Sequence, residues 1–257
     1  MKKLLASIAL VAVAASASAQ TNETKPTIVL VHGAFADASS WNGVIRILER
    51  DGYGVVAVAN PLRSVRGDAA YVGDVLAKIP TPVVLVGHSY GGSVISEAAN
   101  GRPNVKALVY VAAFAPEAGE TAAQLSGKFP GSTLAPTLAP PVPLAGGGND
   151  LYIQQDKFPA QFAADLPQAE ARLMAAGQRP ITEAALNEPS TNGAWKIIPS
   201  WFVYGDADRN IPPSVSAFMA ERAHARQTVT IKGASHVVMV SHPDAVAALI
   251  EKAAVAK

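Results

Sequence analysis

The chain has 257 residues, 49% of them hydrophobic and 16% charged, with a formal net charge of +1 and no cysteine. That length can bury a sizeable core, and a near-neutral chain without a Lys/Arg run lacks the electrostatic footprint of a nucleic-acid binder. Zero cysteines exclude a disulfide framework and thiolate chemistry.

Lys2 and Lys3 make a basic start, Leu4 to Ala15 an apolar run, and Ala17-Ser18-Ala19 an A-x-A cleavage site before Gln20. Residues 1–19 are therefore expected to be a signal peptide, since the apolar run is shorter than the ~20 residues a membrane span needs. The mature chain, 20–257, would be periplasmic or secreted. Nothing later in the sequence approaches a membrane span, and no stable membrane association is expected.

Thr27 to His32 is a β-branched run that reads as a buried first strand. A loop, Ala34 to Ser40, leads to a helix with Trp41, Val44, Ile45 and Leu48 on one face. Tyr53 to Ala59 is the second strand, closed by Asn60-Pro61. A second amphipathic helix carries Ala69, Val72, Val75, Leu76 and Ile79 and stops at Pro80. Strands follow at 82–87, Val105 to Ala112, Trp201 to Tyr204 and Thr228 to Ile231. Val215, Phe218 and Met219 mark a helix between the last two, and Val246, Leu249, Ile250 and Ala253 a final one that starts at Pro243.

Alternating strands and helices predict an α/β domain with a roughly six-stranded, mostly parallel sheet and helices on both faces. One interval, about 116–198, breaks the rhythm. It begins rich in Pro and Gly (Pro136, Pro140, Pro141, Pro143, Gly146 to Gly148) and then shows helical patterns over Phe158 to Leu166, Ala169 to Ala176 and Thr182 to Leu186. A structureless loop of that length is improbable in a compact domain, so a helical cap inserted after the fourth strand is expected.

The third strand runs into Gly87-His88-Ser89-Tyr90-Gly91-Gly92, which matches G-x-S-x-G. Alone the pattern arises by chance in about one chain in ten of this length, but here an apolar strand precedes it and a small-residue helix follows. That is the setting of a nucleophile elbow, where a sharp turn exposes the serine oxygen. A serine hydroxyl needs a base, and the base needs an orienting acid. His236, just past the sixth strand, is placed to be the base. His32 and His88 read as braces of the backbone, His242 as a surface or capping residue, and His224 as a residue on a polar helix face. After the fifth strand Asp206 and Asp208 compete for the acid. Asp206 follows the turn glycine and suits an Asx-type turn, whereas Asp208 lies further out and is better placed to reach the next loop.

Four motifs in order carry a resemblance: Val31-His32-Gly33-Ala34-Phe35 with Trp41; the elbow; Gly205-Asp206-Ala207-Asp208-Arg209-Asn210-Ile211-Pro212; and Ser235-His236 with Pro243-Asp244. The chain resembles the α/β-hydrolase superfamily, in particular its small cofactor-free branch of carboxylesterases, plant methyl esterases and hydroxynitrile lyases. The resemblance implies a triad of Ser89, Asp208 and His236. It also implies an oxyanion hole built from the backbone N–H groups of Ala34 and Tyr90, with Phe35 as the fallback. It puts the second strand outside the first and the third on the first one's other side. Gln20 to Pro26 leaves no room for the antiparallel hairpin usual before the first strand.

The expected function is hydrolysis of small carboxylic esters through an acyl-enzyme. A lyase on the same triad is the alternative, but that branch carries a threonine after the first-strand histidine and a lysine after the catalytic one, where this chain has Gly33 and Val237. A third reading is a binding protein that captures a small ligand on a hydrolase scaffold. No metal-ligand cluster or phosphate loop is visible, so no cofactor and no metal are expected. Phe158, Phe162, Leu166, Leu173, Met174 and Trp195 are candidates for the pocket lining or for the cap's own core, with core the better expectation.

Overall fold

The computed structural model describes residues 25–257, so the expected signal peptide at 1–19 lies outside the described residues. β1 (Thr27–Val31), β2 (Val55–Val58), β3 (Val83–His88) and β4 (Val105–Val111) precede the long interval. Three short strands lie within it: β5 (Val142–Pro143), β6 (Asn149–Leu151) and β7 (Ile181–Thr182). After it come β8 (Ser200–Gly205) and β9 (Gln227–Ile231). Six of these strands form one sheet in the order β2-β1-β3-β4-β8-β9, and every pairing in it is parallel.

Parallel strands need crossover connections, and the crossover helices cover both faces of the sheet. Hence the central strands read as unbroken apolar runs, and β3 is buried at every position. Helices Asn42–Arg50 and Pro243–Val255 pack together as one layer, and Val65–Leu76 and Gly91–Ala98 as another. Strand order reverses between β1 and β3. The carboxyl ends of these two strands therefore open the crevice where an α/β sheet holds its ligands.

Several boundaries move for local reasons. β2 is shorter than 53–59 because Gly52, at φ +81°, turns the chain before it and the Asn60 N–H closes back on the Val58 carbonyl at 3.0 Å. The second amphipathic helix starts at Val65, capped by the Ser64 side chain accepting from the Gly67 N–H, and ends at Leu76, leaving Ile79 to pack from the turn beyond. His224 follows helix Pro213–Arg222 in a left-handed turn at φ +46° instead of lying on a helix face.

The insertion holds the expected helices as Phe158–Phe162, Gln168–Gly177 and Glu183–Asn187, the last capped by Thr182. It also holds an antiparallel sheet, β5-β6-β7, that the sequence did not foretell. Strands of two or three residues show no period, and β6 pairs with a β7 far away in the chain. Pro143 sits in the outer strand β5, where no inner ladder donor is needed. The two arms of the insertion meet in a neck: Gly119 N–H donates to the Ser190 carbonyl at 2.8 Å, Ser190 N–H to the Glu120 carbonyl at 3.0 Å, and Trp195 Nε1–H to the Pro116 carbonyl at 2.9 Å. Arg222 braces the neck from the sheet domain with a fork on Glu120 and a further bond to the Ala115 carbonyl.

Candidate active site

Ser89 stands between β3 and helix Gly91–Ala98 at φ +52°, a left-handed conformation costly for a residue with a Cβ. The turn is stitched in place: Ser89 N–H reaches the Val111 and Ala112 carbonyls at 3.3 and 3.2 Å, and its own carbonyl accepts from the N–H groups of Gly92 (2.9 Å) and Phe114 (3.1 Å). The flanking glycines have steric reasons. A Cβ at Gly87 would come within 2.6 Å of the Gly91 carbonyl oxygen, and one at Gly33 within 2.5 Å of Ser89 Cβ. At Gly91 and Gly92 it would collide with the Val31 and Phe114 carbonyls.

His236, on the loop after β9, is 1% exposed and places Nδ1 2.7 Å from Asp208 Oδ2. Asp208 Oδ1 accepts the N–H groups of Asn210 (2.8 Å) and Ile211 (3.0 Å). With its carboxylate so held, Asp208 accepts a hydrogen bond from His236 Nδ1–H and leaves Nε2 as the free acceptor. Neither Ser89 Oγ nor His236 Nε2 is in a hydrogen bond with any described residue. Both line one cavity. Asp206, the competing acid, is exposed and accepts the Gly233 N–H at 2.6 Å, a brace between the two loops.

The other histidines sort by their partners. His88 donates Nε2–H to the His236 carbonyl at 3.1 Å, with the two rings 4.8 Å apart. Burial, then the neighbouring His236, pushes its pKa well below the ordinary value, so it works as a neutral strut. His32 accepts the Asn60 N–H on Nε2 at 3.1 Å and donates Nδ1–H to the Gly33 carbonyl at 2.9 Å; burial lowers its pKa from 6.5 to about 4. His242 holds the N-cap position of helix Pro243–Val255 without a side-chain capping bond, and its Nδ1 meets Ser241 Oγ at 2.8 Å.

Ala34 and Tyr90 border the same cavity, and their N–H groups are donated to no described residue. The Phe35 N–H is already spent on the Arg179 carbonyl at 3.0 Å. Behind Tyr90, its hydroxyl donates to the buried Asp68 at 2.9 Å. Burial raises the pKa of both groups, and the Asp68 carboxyl also accepts the Arg63 N–H. Nothing local in the sequence marks Asp68 as the anchor of Tyr90, since the pair is joined only by the packing of helices Val65–Leu76 and Gly91–Ala98.

The cavity encloses about 360 Å³ and is walled mainly by apolar groups, among them Phe35, Phe114, Leu138, Phe162 and Ile211. Of the six cap residues named from the sequence only Phe162 borders it. Phe158 and Trp195 are buried in packing, as expected of core, while Leu173 and Met174 line a separate cavity on the far side of Phe35. Among the described residues no cluster of three or more His, Cys, Asp or Glu could hold a metal ion, and no helix is long and apolar enough to cross a membrane.

A family model described as "Alpha/beta hydrolase family" matches residues 28–249. The chain is similar to the alpha/beta hydrolase nvfD of Aspergillus novofumigatus, 28% identical over 253 residues covering 90% of this chain and 97% of that protein. It is 25% identical over 251 residues to esterase PIR7B of Oryza sativa subsp. japonica, covering 87% and 93% of the two chains. The crystal structure of polyneuridine aldehyde esterase shares the fold, with a TM-score of 0.76 at 20% identity over 89% of this chain and 98% of that one.

Proposed function

The chain belongs to the alpha/beta hydrolase family, and from that premise we propose that it hydrolyses small carboxylic esters through an acyl-enzyme on Ser89. The observation that carries this reading is the buried His236–Asp208 pair, with Nε2 unspent and His236 bordering the same apolar cavity as Ser89. His236 Nε2 takes the Ser89 proton as Oγ attacks the carbonyl, and Asp208 stabilises the imidazolium that forms. The N–H groups of Ala34 and Tyr90 receive the oxyanion; each such donor contributes about 3 kcal/mol of transition-state stabilisation. As the tetrahedral intermediate collapses, His236 hands its proton to the departing alcohol. Water, activated by the same nitrogen, then releases the acid. Two relatives with esterase in their names, from rice and in the solved polyneuridine aldehyde esterase, support the substrate class.

Gly33 speaks against the lyase alternative, because the threonine of that branch would bring a Cβ within 2.5 Å of Ser89 Cβ in this geometry. A chain-length panel of nitrophenyl esters against wild type and Ser89→Ala tests the proposal. Turnover should vanish in Ser89→Ala, and equal rates in the two proteins would sink the serine mechanism. We propose further that residues 1–19 direct export, which N-terminal sequencing of the mature protein checks: a chain that keeps Met1 in the producing cell overturns it.

A further inference from the structure

Asn210 lies two residues past Asp208, borders the cavity shared by Ser89 and His236, and is 4% exposed. All but one of its polar groups are accounted for. Its N–H donates to Asp208 Oδ1 at 2.8 Å, and its carbonyl accepts from Ser126 Oγ and Ser132 Oγ at 3.0 and 3.1 Å. Its Oδ1 accepts from Gln161 Nε2 at 2.6 Å. Only Nδ2, equally buried, has no partner among the described residues.

The orientation of this amide is fixed by its neighbours. Gln161 Nε2 also donates to the Arg209 carbonyl at 3.0 Å, an atom that can only accept, and Gln161 Oε1 accepts from Thr133 Oγ1 at 2.8 Å. Gln161 therefore presents a nitrogen, and the Asn210 atom facing it must be the oxygen. The Asn210 NH2 is left over, itself shielded from solvent, on a residue that borders a cavity otherwise walled mainly by Phe, Leu, Ile and Ala side chains. The scissile carbonyl does not need this donor, since the Ala34 and Tyr90 N–H groups are free for its oxyanion. A buried donor held rigidly without a partner penalises an all-carbon occupant and rewards one that brings an acceptor.

We infer that Asn210 is a specificity-determining residue whose Nδ2–H donates to an oxygen the substrate carries away from its scissile carbonyl. The preferred esters are thus oxygenated, with a keto, ether or hydroxyl group in the acyl or alcohol chain, and plain alkyl esters are poorer. The inference rests on the ester-hydrolase reading above.

The test uses pairs of near-isosteric esters, methylene against ether oxygen and branched methyl against keto oxygen, with the oxygen moved stepwise along the acyl and then the alcohol chain. Hydrolysis is followed by pH-stat. At one position wild type should prefer the oxygenated member by roughly tenfold or more in kcat/KM, and Asn210→Leu should bring that ratio to about one or below. Asn210→Asp keeps the volume and the Gln161 contact but exchanges the donor for an acceptor, so it should reverse the preference even where the leucine variant fails to fold. No oxygenated preference at any position in wild type, or an equal fall for both members of the pair in the variants, overturns the inference. Calorimetric binding of the same pairs to Ser89→Ala separates the two claims. Absence of Ser89-dependent turnover refutes the ester reading, while a binding preference abolished by Asn210→Leu still upholds the role of Asn210.

Discussion

Replacing Asp208 with Asn leaves the loop intact and disables the base. In the wild type Oδ1 holds the N–H groups of Asn210 and Ile211 while Oδ2 faces His236 Nδ1 at 2.7 Å. An asparagine must keep its oxygen on the two backbone donors, because its NH2 cannot accept them. The NH2 then turns onto His236, and two donors cannot face each other. The imidazole proton shifts to Nε2, the atom that has to receive the Ser89 proton. The expected loss in kcat is about 10⁴-fold, or roughly 5.5 kcal/mol at 1.36 kcal/mol per decade. Stability should fall far less, by about 1–2 kcal/mol, as one charge-assisted hydrogen bond becomes neutral. Initial rates on nitrophenyl acetate, measured beside Asp206→Asn and with urea unfolding of each protein, separate the two acids. Asp206→Asn keeps its acceptor for the Gly233 N–H and should stay within about twofold of wild type. Turnover of Asp208→Asn within tenfold of wild type, or a deeper loss in Asp206→Asn, would refute the assignment.

Three further outcomes are expected. Gly33→Ala puts a Cβ 2.5 Å from Ser89 Cβ, 2.7 Å from the His88 carbonyl and 3.2 Å from Ser89 Oγ; it should cost about 1–3 kcal/mol of stability and displace the nucleophile, so that kcat falls more than KM rises. His32 has a folded pKa of about 4 against 6.5, so the unfolded chain binds the proton first as pH drops. Stability from this group is complete above about pH 6.5 and should shrink by about 2 kcal/mol between pH 7 and 5; urea midpoints in wild type and His32→Gln check it, and equal slopes would exclude the histidine. Arg222→Met takes the fork from Glu120, which keeps the Glu117 N–H, and leaves the Ala115 carbonyl without the Arg222 donor; it should lower stability by about 2–3 kcal/mol, read as a lower Tm and faster proteolysis within the insertion.

The sheet was legible because both of its faces are covered. Burial on two sides forces unbroken runs such as Val83 to Val86, which stand out against amphipathic helices. The elbow was legible for steric reasons, since Gly87, Gly91 and Gly92 each meet backbone where a Cβ would sit. The order of the loops after β8 and β9 then brought Asp208 and His236 within reach of each other. Residues that work through distant contacts were not legible. Asp68 reaches Tyr90 only across a helix pair, and Gln161 fixes Asn210 from the insertion. The spent Phe35 N–H depends on Arg179, far along the chain. The small sheet β5-β6-β7 left no pattern because its strands are shorter than one alternation can register.

The neck at Gly119, Glu120 and Ser190 bears on how such a protein can diversify. Because it holds the ends of segment 121–189 together, lengthening that segment adds only closure entropy, about 0.6 kcal/mol for each doubling. The six-stranded sheet makes its ladder bonds without it. Length changes in the segment's exposed stretches, such as Gly146 to Gly148, therefore weigh little on folding, whereas changes at Leu138, Phe162 and Leu186 rewrite the cavity wall they share with Ser89. Inheritance of the hydrolytic apparatus and inheritance of substrate choice are thereby partly uncoupled, and a library confined to the cavity-facing positions of 121–189, sparing Gln161, Arg179 and Thr182 that bond the sheet domain's loops, can sample new substrates without disturbing the sheet's own ladder.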